Sequence, residues 1–144
     1  MSNIAVGDAD GLISLALTFD PNHDLAVAGT TAFAKAGIEV IFPSTVFPEA
    51  ITSLKRAANQ PEKAHLLAKQ FAQGAFNVAY VDQDIMNRAC EIFDSATSKQ
   101  NTFFDAIVAA TAENLGAEYI FSFDGWYPKL GHKLFTEMSE VRIP

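Results

Sequence analysis

The side chains with the most chemistry to offer in this sequence are carboxylates. Asp8 and Asp10 stand two residues apart in Gly7-Asp8-Ala9-Asp10-Gly11, and Glu49 follows Pro48. Asp105 lies in Phe103-Phe104-Asp105-Ala106-Ile107, and Asp124 precedes Gly125. Carboxylates at i and i+2 in a strand-to-helix turn can bind a cation, and they can equally cap the helix that follows. Asp105 has a plain structural account as an N-cap or first-turn residue favoured by the helix dipole. Asp124 has one as a turn residue. Glu49 lies off the apolar stripe of its helix, where exposed glutamate is ordinary. Other chemistries are missing from the sequence: there is no G-x-x-x-x-G-K-[ST], G-x-G-x-x-G, H-E-x-x-H or G-x-S-x-G. His23, His65 and His132 are scattered singly and read as surface residues. Cys90 is the single cysteine, so neither an internal disulfide nor a paired-Cys zinc motif can form, and its place in an amphipathic helix reads as packing.

The elements that must position these acids follow from hydrophobic periodicity and breakers. Residues 3–7 read as a short buried strand ending at Gly7-Asp8, and 11–19 as an apolar helix closed by Asp20-Pro21-Asn22. A helix over 24–35 ends on Gly37, and a strand follows over 39–42. Pro43-Ser44 opens a helix carrying Phe47, Ile51, Leu54 and Ala58, and Pro61 starts another with Ala64, Leu67, Ala68 and Phe71 on one face, stopped by Gly74. A third strand over 77–81 leads to Asp82, which caps a helix with Ile85, Ala89, Ile92, Phe93 and Ala96 on a shared face. After a polar loop over 97–101, a helix carries Phe104, Ile107, Val108, Thr111 and Leu115 and ends at Gly116. A fourth strand over 118–122 runs into Asp124-Gly125, and either 134–135 or 141–143 supplies a last edge strand. Strands alternating with helices predict an α/β fold, a three-layer α/β/α sandwich around a mostly parallel sheet of four or five strands. In such sheets the functional crevice lies at the carboxyl ends of the strands, which is where Asp8 and Asp124 fall and where Glu49 and Asp105 can point.

Composition narrows the function classes. The chain has 144 residues, 49% of them hydrophobic and 19% charged, which fits one domain over 1–144 with a substantial core and argues against disorder. The net charge of −7 argues against coating nucleic acid through general basicity, yet bound cations could still supply the positive charge for handling phosphates. No apolar run is long enough to cross a bilayer, and the N-terminus has no signal-peptide pattern, so the expectation is a cytoplasmic protein with no membrane partner.

Taken together, the acidic segments form a recognisable series. Asp8-x-x-x-Leu12-Ile13 follows the first strand and Ser44-x-x-x-Pro48-Glu49 lies on a helix. Then come Phe104-Asp105-Ala106-Ile107-Val108-Ala109-Ala110-Thr111-Ala112 and Ser122-x-Asp124. The series resembles the PIN domain family, and its compact VapC-like toxin members in particular, over about 3–130. The resemblance implies that Asp8, Glu49, Asp105 and Asp124 form a pocket for Mg²⁺ or Mn²⁺ and that the activity is phosphodiester hydrolysis of RNA. Asp8 and Asp105 are then the principal metal ligands, Glu49 and Asp124 act through water or on a second ion, and Asp10 and Ser122 give support. Three departures stand out. A second aspartate two residues after the one matching Asp124, followed by Phe, is common in the family, and Trp126-Tyr127 occupy those places here. Ser122 replaces the usual Thr, and Asp10 stands where Ser, Thr or Asn is common. A four-acid site implies weaker binding of a second metal, with the extra charge of Asp10 as partial compensation.

The resemblance also implies partners: an RNA substrate, a basic antitoxin that sets an Arg or Lys against the acidic pocket, and a second copy of the chain. Twelve Phe residues and the segment 61–74 with the helix before it are the candidate surface for such a homodimer. Two rival readings stay open. Asp8-Ala9-Asp10-Gly11-Leu12 resembles the first motif of haloacid-dehalogenase-type phosphatases, with Asp8 as nucleophile, although the usual Thr after Gly is missing. The other rival is a PIN fold that binds a partner or RNA without cutting.

Overall fold

The structure is a computed structural model that describes residues 3–141. Five strands form one all-parallel sheet in the order β3-β2-β1-β4-β5. In chain order the elements are β1 (Ile4–Gly7), α1 (Ala9–Ala16), α2 (His23–Ala36), β2 (Glu39–Pro43), α3 (Val46–Lys55), α4 (Pro61–Ala72) and β3 (Asn77–Ala79). They continue with α5 (Gln83–Asp94), α6 (Phe103–Leu115), β4 (Tyr119–Phe121), α7 (Trp126–Lys129), β5 (Lys133–Leu134) and a 3₁₀ turn (Phe135–Glu137). The expected mostly parallel sheet sandwiched by helices is therefore present. The chain builds outward from β1 to β2 and β3, then crosses to β4 on the other side of β1. That reversal creates a switch point between the carboxyl ends of β1 and β4, the place where parallel sheets open a crevice. The amide of Asp8 donates to the carbonyl of Phe121 (3.1 Å), closing the two strand ends side by side.

One helix owes its sequence to its burial. Every residue from Asp105 to Ala112 in α6 is buried, so no polar face is needed, and small residues let the neighbouring α5 and β1 approach. Thr111, fully buried, satisfies its hydroxyl on the Ile107 carbonyl at 2.8 Å. Phenylalanines fill the space on either side: Phe42, Phe47, Phe71 and Phe76 form one ring cluster, and Phe33, Phe121, Phe123 and Phe135 another. Most of the aromatic content thus goes to the core. On α4, the proposed dimer surface, the large exposed apolar residue is Leu66.

Several local expectations shift. Pro43 ends β2 instead of opening α3: it pairs with Ala79 of β3 and is fully buried, and the helix starts only at Val46. α1 begins at Ala9, not at Gly11, and ends at Ala16. Gly11, inside this helix, is glycine because a Cβ there would lie 2.8 Å from the Phe121 carbonyl oxygen, so the residue marks close packing. Cys90 is exposed; it stands about 100° around α5 from Ala89, off the buried stripe of Ile85, Ala89 and Ile92. The last strand is Lys133–Leu134, one residue earlier than the first of the two expectations; the other, 141–143, falls largely outside the described residues. Among the described residues, no helix is long and apolar enough to cross a membrane.

Candidate functional site

Each acidic residue reaches the carboxyl edge of the sheet on a different support. Asp8 is the N-cap of α1, its Oδ1 accepting from the Ala9 amide at 2.6 Å, so the capping reading is correct. The cap lies at the switch point, at the carboxyl end of β1, and is only 3% exposed. Asp10, in the first turn of the same helix, accepts from the Ser122 hydroxyl (2.9 Å) and the Phe123 amide (2.8 Å), tying α1 to the end of β4. Glu49 stands in the first turn of α3, half-buried. Asp105 occupies the third position of α6, where it forms a reciprocal capping box: its Oδ2 accepts from the Thr102 amide at 3.1 Å, and its amide donates to the Thr102 hydroxyl at 3.2 Å. Asp124 accepts from the Trp126 amide at 2.9 Å, which is the expected turn contact, and its own amide donates to Ser122 Oγ at 3.1 Å.

The electrostatics show that these side chains share one space. Burial raises the Asp8 carboxyl well above the usual carboxylate range, and Asp10, Asp105 and Glu49 push it the same way. Burial raises Asp10 too, opposed by its three hydrogen bonds and reinforced by Asp124. Asp105 is raised by burial first, with its Thr102 bonds acting against this and Asp124 adding to it. Glu49 is pushed up to about 7 by burial, then by Asp105 and Asp10. The five expected acids are therefore brought together, each within the field of at least one other. Among the described residues none of these acids has an ion-pair partner; the ion pairs there join Arg88 to Glu91 and Glu113, elsewhere on the surface.

One residue at this site escaped the sequence reading as a functional group. Tyr127 is completely buried, and its hydroxyl donates to Asp8 Oδ2 at 2.5 Å while also lying close to Asp105. Burial, Asp8 and Asp105 together hold its phenol well above its ordinary pKa, so it remains a donor. The only signal in the sequence was its departure from the Phe common at that place. Of the histidines, His65 is exposed, whereas His23 and His132 are half-buried, and none borders the acids. His23 Nδ1 meets the Ser14 carbonyl oxygen at 2.8 Å.

The donor set suits a hard divalent cation: it is all oxygen, strongly anionic and lacks any soft ligand. Burial first, and repulsion among neighbouring carboxylates after it, raises four carboxyl pKa values, and a bound divalent ion would offset both. Among the described residues, no three His, Cys, Asp or Glu side chains already stand in position to share one ion. Both oxygens of Asp8 and one each of Asp105 and Asp124 face local donors instead.

The Glu49 carboxyl has a consequence for stability. Between about pH 4.5 and 7 the folded chain holds a proton there that the unfolded chain has released, so the metal-free protein loses stability as pH rises through this window and levels off above it. Glu49→Gln should flatten that part of the curve. Urea unfolding across this range would read it, and parallel curves for wild type and variant would refute the assignment.

Comparison with known proteins then places the chain. The PIN domain family model matches residues 10–133, a span containing Asp10, Glu49, Asp105 and Asp124 and beginning just after Asp8. A crystal structure of Mycobacterium tuberculosis VapC20, described as a sarcin-ricin loop cleaving toxin, superposes with a TM-score of 0.75 at 22% identity, covering 90% of this chain and 95% of that one. Among curated proteins there is no significant sequence match. The family match sets aside the phosphatase resemblance of residues 8–12: the chain belongs to the PIN domain family.

Proposed function

We propose that this protein is a metal-dependent ribonuclease of the PIN type, the toxin of a toxin–antitoxin pair, which hydrolyses RNA phosphodiester bonds. The observation that carries this reading is the convergence of Asp8, Asp10, Glu49, Asp105 and Asp124 at one switch point, with no ion pair to any of them among the described residues. The fold shared with VapC20 agrees with it. An antitoxin that places a basic side chain against the same acids would be the natural inhibitor, since a guanidinium pairs bidentately with carboxylates.

Asp8 and Asp105 would be the principal holders of Mg²⁺ or Mn²⁺, with Glu49 and Asp124 completing the pocket. A bound divalent ion supplies an acidified water and stabilises charge on the phosphoryl oxygens. The chain's own part is positional. The Asp10–Ser122 bridge holds α1 against β4, the Thr102 capping box anchors Asp105, and Tyr127 fixes Asp8. The fully buried Ser122 and Tyr127 and the nearly buried Asp8 keep bulk water from the floor of the site, where electrostatic interactions are stronger than in water.

The purified protein should cleave single-stranded RNA with Mg²⁺ or Mn²⁺ and fall silent in EDTA, read on a gel with labelled RNA. Undiminished cutting in EDTA would end the metal-dependent reading. A chain that neither binds Mn²⁺ nor cuts would leave the non-catalytic module, the reading favoured by the hydrogen bonds that occupy both oxygens of Asp8.

A further inference from the structure

Beside the acidic cluster lies a concavity that, Asp124 apart, the proposed chemistry does not use. It has a volume of about 460 Å³ and runs between the loop after α5 and the short helix α7. Its lining includes Thr97, Ser98, Gln100 and Asn101 from the loop, Lys129 from α7, and Asp124, which also belongs to the carboxylate cluster. The groove therefore meets the carboxylate cluster at one side chain. Lys129 is exposed and makes no ion pair or side-chain hydrogen bond among the described residues. On a chain of net charge −7, Lys129 places an ammonium in the same lining as Asp124. The remaining lining is rich in hydroxyl and amide groups, which both donate and accept hydrogen bonds.

Resting on the nuclease reading, we infer that this groove binds the stretch of RNA that flanks the scissile bond. The chemistry matches one strand of RNA part by part. Lys129 meets a backbone phosphate as a point charge, while the serine, threonine and amide side chains can reach ribose 2′-hydroxyls and base edges. Asp124 marks where the strand passes into the acidic site, so Lys129 offsets repulsion between the phosphates and the carboxylates at that threshold. Substrate binding thereby divides between two places: the cation site acts on the reacting phosphate, and the groove holds its neighbour.

The test is fluorescence anisotropy of a labelled single-stranded RNA oligonucleotide in Mn²⁺ buffer, over a series of salt concentrations. Lys129→Gln should weaken binding several-fold and reduce the slope of log affinity against log salt by about 0.7, the share of one phosphate contact on a single strand. Lys69→Gln, on the exposed face of α4, should change neither. Mn²⁺ affinity of Lys129→Gln should equal that of wild type, and in cleavage its KM should rise with kcat little altered. A DNA oligonucleotide of the same sequence should bind more weakly than RNA; equal binding would overturn 2′-hydroxyl recognition in the groove. Unchanged affinity and salt slope in Lys129→Gln would overturn the groove while leaving an active metal-dependent nuclease intact. RNA binding that depends on Lys129 in a protein that never cuts would uphold the groove and overturn the nuclease. A wild-type chain that binds no RNA would overturn both.

Discussion

Asp105→Asn should abolish RNA cleavage while leaving the fold and its stability almost unchanged. The two roles of this residue can be separated because they use different properties. Its capping role needs an acceptor oxygen for the Thr102 amide, and asparagine keeps one. Its role in the acidic site needs charge, and asparagine has none. Loss of the favourable helix-dipole interaction costs about 0.3–1 kcal/mol. Relief from repulsion by Asp8, Glu49 and Asp124 works in the opposite direction, so the melting temperature of the metal-free protein should move little. Cleavage should fall below about one hundredth of wild type, since even outer partners of metal ligands typically cost 10–100-fold when removed. Asp94→Asn, at the end of α5 and outside the site, is the control. If Asp105 were only a cap, activity would survive the exchange; full activity of the variant would therefore end the assignment.

What the sequence revealed about this site, and what it hid, divides along a physical line. Local chain signals were readable. Gly37 and Gly116 end their helices in the left-handed conformation, and Asp82 caps α5 through the Ile85 amide, because these effects act within a few residues. Signals that depend on a distant partner were misread. Gly11 looked like the first residue of its helix, yet it lies inside α1, held against the carbonyl of Phe121 on the far side of the sequence. Pro43 looked like a helix opener, but a pairing partner in β3 keeps it in the strand. The acids show both cases at once. Asp8, Asp105 and Asp124 each have the local cap or turn contact that their neighbours in sequence suggest. Their shared electrostatics arise only when β1, β4, α3 and α6 meet. No single spacing in the chain encodes that meeting, which is why only the whole series of segments pointed to it.

Tyr127→Phe tests the contact that was hardest to foresee. Phenylalanine keeps the ring in a completely buried place and removes only the hydroxyl that donates to Asp8 Oδ2. A hydrogen bond to a charged group is worth about 1.5–3 kcal/mol, so some global stability should be lost, but the packing that holds α7 under the site should remain. The larger effect should fall on cation binding. Of the two Asp8 oxygens, one is held by the Ala9 amide and the other by Tyr127, so the hydroxyl sets the plane of the carboxylate. Without it, Asp8 can rotate, and the affinity for Mn²⁺ should drop by about 10–100-fold, the usual cost of losing an outer partner of a ligand. Isothermal titration with Mn²⁺, paired with urea unfolding of the metal-free protein, reads the two effects separately. An unchanged Mn²⁺ affinity would show that Asp8 is held in place without Tyr127. A gain in affinity would mean that the hydroxyl competes with the cation for Oδ2, making Trp126-Tyr127 a brake on metal binding in place of a support.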